Sequence, residues 1–220
     1  SSAHESKTLD NKKLYSVLFN VEKTLLDKSD SIAVISKEAK NKLTTNHKLD
    51  TSKIVVSPNY PLISNNVLSL NKNRKFFNLP QNSYLIMYTG NFGKKQNLSN
   101  VIDTAKILAF SHPQIVFVLV GDGMERDFLI KQSLGLNNVL FYPFVNDELY
   151  IELLKNADLL LVHERESLRD MSFPSKLTSY YMSQKPILVV CSKASATYGD
   201  VKKHKLLHCD PGDPHLLATL

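Results

Sequence analysis

From Tyr84 onward the chain repeats one pattern: a short unbroken apolar run, then a longer stretch with apolar residues at every third or fourth position. The runs Tyr84–Thr89, Ile115–Val120, Val139–Tyr142, Leu159–Val162, Ile187–Val190 and Leu206–His208 predict six strands. Helices are predicted between them at Leu98–Phe110, Met124–Ser133, Glu148–Asn156, Pro174–Met182 and Ala194–Lys202. Continuously apolar strands suit a parallel sheet covered on both faces. Strict alternation of strand and helix predicts a doubly wound, Rossmann-like α/β fold with a parallel sheet of about six strands. Ligands of such sheets bind beyond the carboxyl ends of the strands, so chemistry is expected in the loops that follow them.

Before Tyr84 the pattern is sparser. A helix is predicted from about Asn11 to Asp27, with Leu14, Val17, Leu18, Val21, Leu25 and Leu26 on one face. A short strand Ile32–Ile35, a helix from Ser36 to about Leu43 and a strand Ile54–Val56 follow. Residues 61–75 are rich in Asn, Ser and Lys and read as a linker between residues 1–60 and 76–220.

Four loops after strands could carry chemistry. Gly90-Asn91-Phe92-Gly93-Lys94-Lys95-Gln96 combines backbone accessibility with positive charge, but it is neither a Walker A loop nor GxGxxG. Gly121-Asp122-Gly123 could meet a nucleotide or simply end its strand. Tyr142-Pro143-Phe144-Val145 could present backbone groups to a base edge or belong to the core. The fourth, His163 to Phe173, holds Glu164, Arg165, Glu166, Arg169 and Asp170 and leads into Pro174-Ser175-Lys176. Proline fits the first position of a helix, which puts Ser175 and Lys176 in a first turn that favours an anion. An ordinary helix start with a solvated lysine satisfies the same residues.

The net charge of +6 arises wholly in residues 1–75, which hold thirteen Lys or Arg against seven Asp or Glu. Such a segment suits an anionic membrane surface or a phosphorylated substrate, and compositional bias also produces it. Basic and aromatic residues do not interleave on one face, so no nucleic-acid partner is expected. No apolar run approaches the roughly eighteen residues of a membrane span. The opening Ser1-Ser2-Ala3-His4-Glu5-Ser6-Lys7 lacks the pattern of a secretory signal. Cys191 and Cys209 form no CxxC pair, which fits a reducing, cytoplasmic setting. No nucleophile elbow occurs, and His163, His204, His208 and His215 lack metal-ligand spacing.

Taken in order, the segments Asp30–Ser36, Lys53–Asn59, Gly90–Gln96, Val118–Gly123, Asn156-Ala157-Asp158, Pro174–Leu177 and Lys185-Pro186 resemble the C-terminal half of GT-B glycosyltransferases. The likeness is to glycosyltransferase family 4, in the branch acting in colanic-acid, capsule and O-antigen biosynthesis. It implies a nucleotide-sugar donor domain at 76–220, preceded by the tail of an acceptor domain. It implies a retaining transfer from a UDP-, GDP- or ADP-sugar to a glycan or lipid-linked acceptor, with no metal and with peripheral membrane association as an option. Gly90, Gly93, Lys94, Lys95, Ser175 and Lys176 would hold the diphosphate. Phe144 and Val145 would meet the base, and Ser179 the ribose. Aligning on Pro174-Ser175-Lys176 puts Met171 and Ser179 where many members carry glutamates, and Gln96 where they carry lysine. Sugar contacts would then fall to Glu164, Glu166 or Ser172. With the acceptor domain incomplete and the closing C-terminal helix, which should begin at Pro214, expected to be lacking, this polypeptide is expected to bind donor without turning over alone. The alternative is a non-catalytic nucleotide- or phosphate-binding α/β domain.

Overall fold

The computed structural model describes residues 12–35, 37–57, 73–167 and 175–220. They fall into two compact units, one within the first 60 residues and one holding the alternating segment.

In the first unit, α1 (Lys12–Lys28), β1 (Ile32–Val34), α2 (Lys37–His47) and β2 (Ile54–Val56) follow in order. β1 and β2 pair in parallel, Ile32 opposite Ile54. Ile32, Val34, Leu49 and Ile54 form a small core that Leu26 of α1 joins. The rest of the expected apolar face of α1, Leu14, Val17, Leu18, Val21 and Leu25, is 46–64 % exposed.

The second unit contains β3 (Tyr84–Thr89), α3 (Leu98–Ser111), β4 (Ile115–Val120), α4 (Arg126–Gln132), β5 (Val139–Tyr142) and α5 (Asp147–Asn156). It continues with β6 (Leu159–His163), α6 (Lys176–Met182), β7 (Ile187–Val190), α7 (Thr197–His204), β8 (Leu207–Cys209) and α8 (Pro214–Ala218). The six strands form one sheet in the order β5-β4-β3-β6-β7-β8, and every pair is parallel. The order reverses between β3 and β6, so the crevice of a doubly wound sheet lies there. Leu98, Val101, Ile102, Ala105 and Leu108 recur at helical spacing and bury one face of α3 in the core. α8 packs on α3, and the Pro214 carbonyl accepts from Thr104 Oγ1 at 3.3 Å.

One phenol keeps the crevice open. Register pairs join β3 to β6 only at Ile86–Leu159 and Met87–Leu160. Beyond them the Tyr180 hydroxyl of α6 accepts the Thr89 amide proton at 2.9 Å and stands 3.5 Å from the Leu161 carbonyl. It therefore occupies the place of a ladder bond between the strands.

At the other end, Asp158 starts the pairing. Its amide donates to the Leu85 carbonyl at 2.9 Å, and its carboxylate accepts from the Leu85 amide at 2.8 Å. Arg74, inside the segment that reads as linker, is 8 % exposed. Its guanidinium donates to that carboxylate at 2.5 Å and to the carbonyls of Ser83, Gln81 and Asn156 at 2.8, 3.1 and 3.2 Å. Removing one partner of a buried ion pair strands the other, at a cost of about 3 kcal/mol. Arg74→Ala is expected to destabilise the unit by about that amount, read as a lower midpoint in urea unfolding with little change in slope.

Candidate functional site

The loops that follow β3 and β4 are joined backbone to backbone. Gly90 N donates to the Val120 carbonyl at 2.9 Å, Phe92 N to the Asp122 carbonyl at 2.7 Å, and Glu125 N to the Phe92 carbonyl at 2.9 Å. Gly121 has φ +143°, and a Cβ there would stand 1.9 Å from the Gly90 carbonyl oxygen. The Gly121-Asp122-Gly123 segment thus seats the Gly90 loop from behind. Gly90 itself, at φ +128°, leaves room on its open side for Lys176, whose Nζ would lie 3.1 Å from an added Cβ.

Lys176 is the centre of this arrangement. Its Nζ sits 3.5 Å from the centroid of the Tyr88 ring, a cation–π contact. Burial lowers its pKa from the ordinary 10.5 to about 7, against the Glu164 carboxylate, which pulls it upward. Tyr88 is fully buried and donates its hydroxyl to the Asn91 carbonyl at 2.8 Å. Burial raises the Tyr88 phenol well above its usual range, so the ring stays neutral beneath the ammonium.

His163 ties the β6 end to the Gly90 loop. It is 1 % exposed, with Nδ1 2.8 Å from the Gln96 carbonyl and Nε2 3.0 Å from Oδ1 of Asn100. Burial pushes its pKa down to about 4, opposed by the Gln96 bond and reinforced by Lys176. The Gln96 carbonyl can only accept, so the neutral ring carries its proton on Nδ1, and its bare Nε2 is satisfied when the Asn100 amide turns its NH2 toward it. A second tie runs from the Arg165 amide to the Lys95 carbonyl at 2.8 Å.

Of the residues singled out in the sequence, Gly90 and Lys176 meet directly. Gly93 closes the turn, accepting from the Gln96 amide at 3.0 Å. Lys94 and Lys95 are exposed. Ser175 is exposed and already helical at φ −54°, ψ −29°, with no side-chain cap bond. The expected helix at Pro174–Met182 is described only from Lys176 and has seven residues. Of this turn's described residues, Lys176 is the one whose side chain reaches Gly90. Ser179 hydrogen-bonds the Tyr150 hydroxyl, which lies 3.2 Å from Thr89 Oγ1. Phe144 is 63 % exposed and Val145 partly buried, both beyond β5 at the sheet edge. Glu166 is exposed, with a carboxylate oxygen 3.5 Å from where a Cβ on Gly212 would lie. Glu164 is 5 % exposed, and its oxygens accept from Ser195 Oγ at 2.7 Å and Thr197 Oγ1 at 2.6 Å. Ser172, Met171 and Pro174 lie outside the described residues. No cluster of metal-ligating side chains occurs among the described residues, nor does any helix there have the length and apolarity to cross a membrane.

The profile of the glycosyl transferases group 1 family matches residues 70–220, the span that forms this sheet and its loops. The chain belongs to that family. It is 32 % identical over 164 residues to the Escherichia coli K12 protein assigned as the colanic acid biosynthesis glycosyl transferase WcaI, covering 72 % of this chain and 40 % of that one. Its fold matches Anabaena HepE in complex with UDP and glucose, at TM-score 0.73 and 21 % identity over 91 % of this chain and 55 % of HepE. A glycosyltransferase of Rickettsia africae matches at TM-score 0.68 and 16 % identity, again over 91 % of this chain and 55 % of the other. The chain thus spans about half the length, or less, of these group 1 and GT-B relatives.

The buried histidine gives this family member an acid-sensitive seam. An unfolded histidine protonates near pH 6.5, the folded one only near pH 4. The unfolded chain therefore binds more protons between those values, and stability falls as pH drops through that window. The loss is on the order of 3 kcal/mol. The stability advantage of the wild type over His163→Gln is expected to shrink by about that amount between pH 7 and pH 4 in urea titrations.

Proposed function

We propose that residues 76–220 form the nucleotide-sugar donor domain of a retaining family 4 glycosyltransferase. In this reading the full protein transfers a sugar from a nucleoside diphosphate to a glycan or lipid-linked acceptor in polysaccharide biosynthesis, at the cytoplasmic face of the membrane. Residues 1–60 would be the tail of the acceptor domain.

The observation that carries the reading is the Lys176 ammonium. It lies beside Gly90 at the point where strand order reverses and, among the described residues, rests on an aromatic ring and not against a carboxylate. A desolvated cation without an acid against it is costly, and a diphosphate would supply the missing negative charge. Departure of a nucleoside diphosphate concentrates negative charge on its oxygens, and a fixed ammonium stabilises that charge. The lysine thus takes the part a metal ion takes elsewhere, and no cofactor is called for. Around it, Gly90 and Gly93 would allow close approach, with Lys94, Lys95 and Ser175 at the phosphate rim. Phe144 and Val145 would meet the base, Ser179 the ribose, and Glu166 or Ser172 the sugar, with the third candidate, Glu164, already engaged by Ser195 and Thr197.

Calorimetry with UDP, GDP and ADP tests this. One of them is expected to bind in the micromolar range, and Lys176→Ala to weaken it by at least about tenfold. Binding of none of the three would overturn the reading. A second expectation follows from the lysine's pKa near 7. A bound diphosphate raises that pKa, so binding takes up a proton and affinity falls as pH rises above 7. Heats measured at pH 8 in buffers of different ionisation enthalpy should report uptake approaching one proton, lost in Lys176→Ala.

A further inference from the structure

Among the described residues, no cation forms an ion pair with the Glu164 carboxylate. Glu164 follows β6, and its amide donates to the Val190 carbonyl of β7 at 2.8 Å. Its two oxygens are taken by the hydroxyls of Ser195 and Thr197, themselves 8 % and 0 % exposed at the start of α7. The Ser195 hydroxyl also accepts the Thr197 amide proton at 3.2 Å, so its orientation is fixed. Two donors fixed on one carboxylate favour its ionised form and leave it unable to swing toward another partner.

The group that feels this charge is Lys176. Burial raises the Glu164 carboxyl pKa, and the two hydroxyls and the Lys176 ammonium offset that rise only in part. Three titratable groups near the pair, among the described residues, are uncharged at neutral pH. They are the Tyr88 phenol from β3, the His163 imidazole from β6 and the Cys191 thiol after β7, the last pushed up to about 12 by burial, Glu164 and Asp210. A carboxylate in contact with the ammonium would keep it charged but would occupy the donors a phosphate needs. A carboxylate whose oxygens are held by two hydroxyls favours the charged form and leaves the donors open.

We propose that Glu164 is a positioning residue, locked by Ser195 and Thr197, that favours the charged form of Lys176 while leaving its donors unclaimed so that a phosphate oxygen can take them. The ligand in this statement rests on the donor-site reading; the coupling of the two charges belongs to the unliganded chain and is measurable without it.

The test is an NMR titration of the full chain, following the lysine Hε/Cε and glutamate carboxyl signals, in wild type and Glu164→Gln. In the variant the Lys176 midpoint is expected to move to lower pH. In the wild type the Glu164 carboxyl signal is expected to step at the Lys176 midpoint, a readout that needs no variant. UDP affinity of Glu164→Gln at pH 8 should fall roughly five- to tenfold, and at pH 6 stay within about twofold of wild type. An unmoved Lys176 midpoint, or no step in the wild-type carboxyl signal, overturns the proposal. So does an equal loss of affinity at both pH values, which marks a purely structural role. If the midpoint moves while the wild type binds no nucleotide, the donor-site reading falls and the charge coupling stands.

Discussion

A single phenol oxygen separates two strands that would otherwise close on each other. Tyr180 is fully buried, and its hydroxyl stands between Thr89 of β3 and Leu161 of β6. Parallel strands paired along their whole length would leave no crevice at the point where the sheet reverses its order. Because Tyr180 satisfies the Thr89 amide, the strands part without an orphaned buried donor, whose cost is roughly 1–3 kcal/mol. The Tyr180 ring, one turn of α6 after Lys176, is anchored by the same bond that opens the sheet. Position of the ammonium and opening of the crevice are therefore one structural event.

The charges at the site follow from that geometry. Lys176 reaches the crevice floor over Tyr88, where water is scarce and a cation is expensive. His163, on the neighbouring strand, stays neutral and ties the Gly90 loop to β6 through Gln96 and Asn100. A second cation there would raise the desolvation cost without adding a donor toward the open side. The site therefore concentrates its positive charge on one flexible side chain, with Lys94 and Lys95 in solvent at the rim.

Much of this was legible in the sequence because parallel strands buried on both faces are written as unbroken apolar runs. Five of the six strands begin where the pattern places them, and the sixth starts one residue late, at Leu207. Gly90 and Lys176 were legible as candidates because glycine after a strand and lysine after Pro-Ser are local signals. Their meeting was not, since it depends on strand order. Glu164 entered as a sugar contact only through the family resemblance, and its hydroxyl partners, 31 and 33 residues later around the start of the predicted Ala194–Lys202 helix, could not be paired with it from sequence. Arg74 was hidden among Asn and Lys residues, where composition says linker and only its bond to Asp158, 84 residues on, says core. Tyr180 lies among apolar positions of its helix, and no pattern separates a structural hydroxyl from a core ring.

The crossing of Gly90 and Gly121 sets a boundary on how this site can change. With 1.9 Å between a Gly121 Cβ and the Gly90 oxygen, neither loop can acquire a side chain at the seam or shift independently of the other. Diversification of the pocket is thereby confined to its periphery, where side chains such as Phe144 and Glu166 project into solvent. The interior behaves as an invariant mould, and novelty in what it accepts must be added from outside inward.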